Sequence, residues 1–89
     1  MYILDFEVLH GRVVKHLQDI VRNGVVTERG LSRMTGLSQP HIHQVLKGTK
    51  FFSMASANQV LRSLQNDLVD FLEPEDIEEW RKRSADVVE

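Results

Sequence analysis

Apolar residues Phe6, Leu9, Val13, Leu17, Ile20 and Val21 recur at spacings of three and four, the repeat of one helix face. They predict a long first helix over residues 4–21. Asn23-Gly24 supplies its stop, because Gly accepts the left-handed conformation that closes a helix. Thr27 is the next N-cap candidate, with Val26 placed to staple onto Leu31, and a short second helix is expected from Glu28 to Thr35. Gly30 inside it is a poor helix former, so this helix must rely on packing. Gly36 breaks it after two turns.

Ser38 can cap a third helix that tolerates Pro40 in its first turn and runs to Lys47, where Gly48 ends it. Ser53 can cap a fourth, with Met54, Ala57, Val60, Leu61 and Leu64 as its apolar stripe, and a short fifth segment surrounds Leu68, Phe71 and Leu72. Glu73-Pro74 opens a last helix. Glu75 and Asp76 in its first turn and Arg81, Lys82 and Arg83 near its end match the helix dipole. Glu78 with Lys82 and Glu79 with Arg83 add favourable i,i+4 pairs. Only residues 1–6 leave room for a strand, so an all-α bundle is the expected class.

Composition narrows the function classes. The 89 residues suit one small core and include no cysteine, which excludes disulfides and thiolate metal sites. The opening segment carries Asp5 and Glu7 where a signal peptide is apolar, and no apolar run approaches the ~18 residues of a membrane span. A soluble, cytoplasmic protein without membrane attachment is expected. The near-neutral total of −2 hides a partition: net 0 over residues 1–26, +4 over 27–66 and −6 over 67–89. A basic middle beside an acidic tail implies a local anion-binding surface, since field rather than total charge governs encounter with a polyanion. Uneven solvated charge is the plainer alternative.

The informative stretch is the pair of short helices around Gly36. Counting from Glu28, Leu31, Ser32, Gly36, Leu37, Ile42 and Val45 fall at positions 4, 5, 9, 10, 15 and 18. Position 5 must be small where two helices cross, position 9 favours Gly for a positive φ, and the others face the core. The run LSRMTGLSQPHIHQVLKG over residues 31–48 resembles the core motif of lambda repressor and Cro-like helix-turn-helix DNA-binding domains. The resemblance spans roughly residues 13–72. It implies a compact five-helix lambda-repressor-like domain over residues 1–72, with residues 73–89 as an extra acidic C-terminal helix or tail. Two departures stand out: Glu28 occupies a position where the family commonly has Gln near a phosphate, and Thr35 replaces a large apolar residue.

Rotating about 100° per residue with Ile42 inward places Ser38, Val45 and Leu46 on the inner side of the third helix. Pro40, Gln44 and Lys47 then point outward, His43 lies beside them, and Gln39 and His41 stand at the helix start. An α-helix fits the major groove with its N-terminal residues near base edges. Gln39, Pro40, His41, His43 and Gln44 are therefore the candidate base contacts: the glutamines suit the adenine edge, Pro40 offers apolar contact, and the histidines can donate to guanine or phosphate. The resemblance puts Gln39 at the family's most used base-contacting position and Gln44 at another. Thr27, Arg29, Ser38, Lys47 and Lys50 frame that helix as candidate phosphate contacts. Each of these side chains can instead be an ordinary solvated group.

These features predict a small regulator, a repressor in the simplest form, that binds double-stranded DNA as a homodimer in the nucleoid-associated cytoplasm. Ile77 and Trp80, loosely extended by Val87 and Val88, form an apolar face that can dock on the domain, join a homodimer interface or meet a protein partner. A partner-binding module of antitoxin-like kind is the alternative function. Catalysis is not expected: the chain has no cysteine nucleophile and no Gly-rich phosphate loop, and Asp67 with Asp70 reads as solvated charge. No cofactor is expected and no metal, because His41 and His43 at i and i+2 diverge by about 200° on a helix. His10 and His16 are placed on the flank of the first helix.

Overall fold

A computed structural model describes the backbone of residues 4–66 and 68–87, and the side chains of these except residues 68–69 and 84–87. The strand considered for residues 1–6 and the roles weighed for Asp67, Leu68, Val87 and Val88 fall wholly or partly outside that description. The described residues are all-helical: α1 (Phe6–Arg22), α2 (Glu28–Thr35), α3 (Gln39–Leu46), α4 (Met54–Ser63), a 3-10 turn (Leu68–Phe71) and α5 (Pro74–Val87).

Local chemistry sets these boundaries. Thr27, Ser38 and Ser53 accept from the backbone N–H three residues on, at 2.9, 3.3 and 3.1 Å, satisfying donors that a helix start leaves orphaned. Asp5 does the same for Val8 at 2.9 Å. That cap starts α1 at Phe6, two residues later than the apolar repeat predicts, and leaves Phe6 66% exposed in the first turn.

Val13 and Leu17 of α1, Leu31 of α2, Ile42 and Val45 of α3, Phe52, and Val60 and Leu61 of α4 are buried together. Each fully buried aliphatic contributes on the order of 1.5–3 kcal/mol. Polar side chains then tie helix to helix by taking carbonyls left open at helix ends. Gln18 of α1 donates to the Leu46 carbonyl at 2.8 Å, Ser63 of α4 to that of Met34 at 3.0 Å, and Gln59 of α4 to that of Thr35.

The structure corrects the expected apolar stripe of α4. Met54, counted in the α4 stripe, is 64% exposed, because the first turn of α4 overhangs the core rather than covering it. Ile77 and Trp80 do not cover the domain either: they are 43% and 66% exposed. The first turn of α5 is anchored instead by Asp76, buried and paired with Arg12 of α1 at 2.6 Å. Beyond that turn the described side chains of α5 are exposed except for half-buried Glu79. A radius of gyration of 15.2 Å, against about 12 Å for a compact chain of this length, matches a helix projecting from the body.

Candidate nucleic-acid interface

The site begins at the junction of α2 and α3. Gly36 has φ +76°, and its N–H donates to the Ser32 carbonyl at 2.9 Å. A Cβ at Gly36 would sit 3.0 Å from Nε2 of Gln59 and in a conformation L side chains rarely adopt. Ser32, small as the helix crossing requires, donates its hydroxyl to the Leu37 carbonyl at 2.5 Å. Thr35 is 1% exposed. Its hydroxyl donates to the Leu31 carbonyl at 2.7 Å and accepts from the Leu37 N–H at 3.2 Å, so a polar residue is buried with its bonds made. Gly30 answers a second packing demand: a Cβ there would lie 3.0 Å from Cγ2 of Val26 and 3.2 Å from Oγ1 of Thr27.

This junction presents one side of α3. Ile42 and Val45 are buried, while Gln39, Pro40, His43 and Lys47 are exposed and Gln44 is half-buried. Ser38, placed inward by simple rotation, is exposed because it stands outside the helix as its cap. Thr27 is likewise an exposed cap, and Arg29, Arg33 and Lys50 are exposed. His41 differs from its neighbours. Half-buried, it packs edge-on against the buried Phe52 ring with centroids 5.8 Å apart, which ties it to the loop after α3.

That loop carries Lys50 and is held at both ends. The N–H and hydroxyl of Thr49 both donate to the Gln44 carbonyl at 3.0 Å. At the other end the Phe52 N–H donates to Nε2 of His10 at 3.0 Å, and the His10 ring meets Phe51 and Phe52 edge-on at 5.2 and 5.8 Å. Burial holds the His10 pKa below its ordinary value. Neutral His10 is therefore the form that supports the loop.

Glu28 is the largest departure from a simple basic surface. Both its carboxylate oxygens lie against Nδ1 of His43, at 3.0 and 3.2 Å, so the charge is turned onto α3. Sequence spacing does not reveal this pair, because 15 residues separate the partners. The loop-holding role of His10 also has no sequence signal beyond a histidine on the flank of α1.

A second feature absent from the sequence reading is an apolar groove of about 490 Å³ between α1, the loop and α4, lined in part by Phe6, Leu9, Phe51, Met54 and Leu61. Among the described residues no three His, Asp or Glu side chains cluster as a metal site, and no helix is long and apolar enough to cross a membrane. Comparison with family models, with curated proteins and with solved structures returned no match.

Proposed function

We propose that the chain is a sequence-specific double-stranded DNA-binding protein of the lambda repressor and Cro-like helix-turn-helix kind, acting by occupancy as a small transcriptional regulator. One observation carries this reading. The α2–α3 junction turns on a left-handed Gly36 and a buried Leu31, Ile42 and Val45, and leaves Gln39, Pro40, His43 and Gln44 on one side of α3 beside Lys47 and Lys50. A helix of this size enters the major groove with such groups at base edges, and the flanking cations meet phosphates. No bond is made or broken in this function, and no cofactor enters it.

A homodimer on a near-palindromic site is the assembly we propose, with half-sites about one helical turn, 10 to 10.5 bp, apart. Ile77 and Trp80 are exposed in the single chain and supply an apolar face for the second copy. Trp80 is the one tryptophan of the sequence. Its fluorescence will shift to the blue as concentration rises through dimerisation if this face is the interface.

Selection of duplexes from a random pool tests the reading directly. Wild type should enrich a palindrome, and the Gln39→Ala, Gln44→Ala double variant should lose or alter it. A folded wild type that enriches nothing overturns DNA reading. The exposed Phe6, Phe51 and Met54 around the groove favour one alternative, a module that binds a protein partner. Salt separates the two: a dimer with about six phosphate contacts gives a log–log salt slope near −5, and an apolar interface does not.

A further inference from the structure

The Glu28–His43 pair points to a proton-dependent contact within the proposed DNA-reading face. Carboxylate oxygens accept and never donate, so the Nδ1 of His43 lying between both of them at 3.0 and 3.2 Å carries the ring hydrogen. The other nitrogen, Nε2, is then the ring atom that Glu28 leaves open to a ligand, on a side chain that is 49% exposed. In neutral His43 that atom is a bare acceptor, and the pair as a whole is negative through Glu28. When the ring takes a second proton, it arrives on Nε2. That atom becomes a charged donor and the pair becomes neutral.

We propose that His43, held in this tautomer by Glu28, is a DNA contact made only in the protonated state. It donates from Nε2 to a hydrogen-bond acceptor of the duplex, either a phosphate oxygen or the O6/N7 edge of guanine. The inference rests on the DNA-binding reading of α3. Glu28 acts through His43 and is a positioning residue. In the neutral state it also opposes binding, since a carboxylate and a lone pair then face a polyanion. Glu28 is the charged group packed against the ring from α2, and on α3 itself Lys47 stands one turn further along.

The test measures affinity for the selected duplex and for a scrambled one at about pH 8 and about pH 5.5. Wild type should bind about tenfold tighter at the lower pH, the scale of one charge-assisted hydrogen bond. His43→Gln should show no such gain, His41→Gln should keep it, and Glu28→Gln should bind more tightly than wild type at the higher pH. A gain equal on both duplexes assigns the acceptor to phosphate, and a gain confined to the selected one assigns it to guanine. Nitrogen-15 NMR of the free wild type at the higher pH should place the ring hydrogen on Nδ1. Binding that is flat with pH, a gain that survives His43→Gln, or a hydrogen on Nε2 overturns the inference while leaving DNA binding intact. Failure of wild type to bind any duplex at either pH removes the DNA reading and this inference with it.

Discussion

Arg12 and Asp76, 64 positions apart in the chain, form a two-point ion pair, half-buried at Arg12 and buried at Asp76, that joins the middle of α1 to the first turn of α5. Nη1 of Arg12 donates to Oδ2 of Asp76 at 2.6 Å and to the Phe71 carbonyl at 2.8 Å, and Nη2 donates to Oδ1 at 3.3 Å. Oδ2 also accepts the Glu73 N–H at 2.6 Å, one half of a capping box. One carboxylate thus starts α5 and fastens it to the body.

Breaking that pair should release α5 rather than unfold the core. Arg12→Ala leaves a buried carboxylate without its cation, a loss of about 3 kcal/mol. Hydrogen exchange will show it as lost protection of α5 amides, while amides of α1 and α3 keep theirs. Equal loss in every helix would mean that α5 and the core unfold as one unit.

Gly30 should resist the substitution that usually helps a helix. Ala is favoured over Gly there by about 1 kcal/mol on propensity alone. The new methyl would meet Cγ2 of Val26 at 3.0 Å, and a β-branched side chain has little rotamer freedom to yield. Gly30→Ala should therefore lower the denaturant midpoint, and a raised midpoint would show that Val26 can move. Gly36→Ala should cost about 1–2 kcal/mol for its left-handed backbone, and the nearby Gln59 amide must also shift.

His10 makes stability fall on acidification. Its folded pKa is depressed by burial from the ordinary 6.5, so on lowering the pH the unfolded chain takes up this proton first. The His10 contribution is complete above that value and is lost progressively below it. Protonation also removes the acceptor of the Phe52 N–H. Melting temperatures recorded against pH should decline through this window in wild type, with a flatter profile for His10→Gln. Identical profiles would assign the decline to other groups.

Lys47 and Lys50 are exposed on and just beyond α3 and should act on DNA through charge alone. Each change to Ala should weaken all duplexes alike and reduce the salt slope by about 1. A change in the selected sequence, with the slope unaltered, would place that lysine at a base edge.

The helices and the caps at Thr27, Ser38 and Ser53 were legible in the chain because each depends on neighbours in sequence. Thr27, Ser38 and Ser53 act on N–H groups three residues away, and Gly36 needs only its own backbone to turn left-handed. The buried set of Leu31, Ile42, Val45, Val60 and Leu61 follows from helical periodicity in the same way. Periodicity fails at helix ends, where a side chain can overhang the core, and so it misplaced Met54 and Ser38.

What tertiary structure alone decided are the meetings between side chains far apart in sequence. Glu28 finds His43, His10 holds the Phe52 loop, and Arg12 takes Asp76, while Ile77 and Trp80 stay exposed. Local propensity and periodicity assign each residue a helix and a face. Which faces come within hydrogen-bond reach depends on how the helices cross, and that is set by packing of the whole core at once.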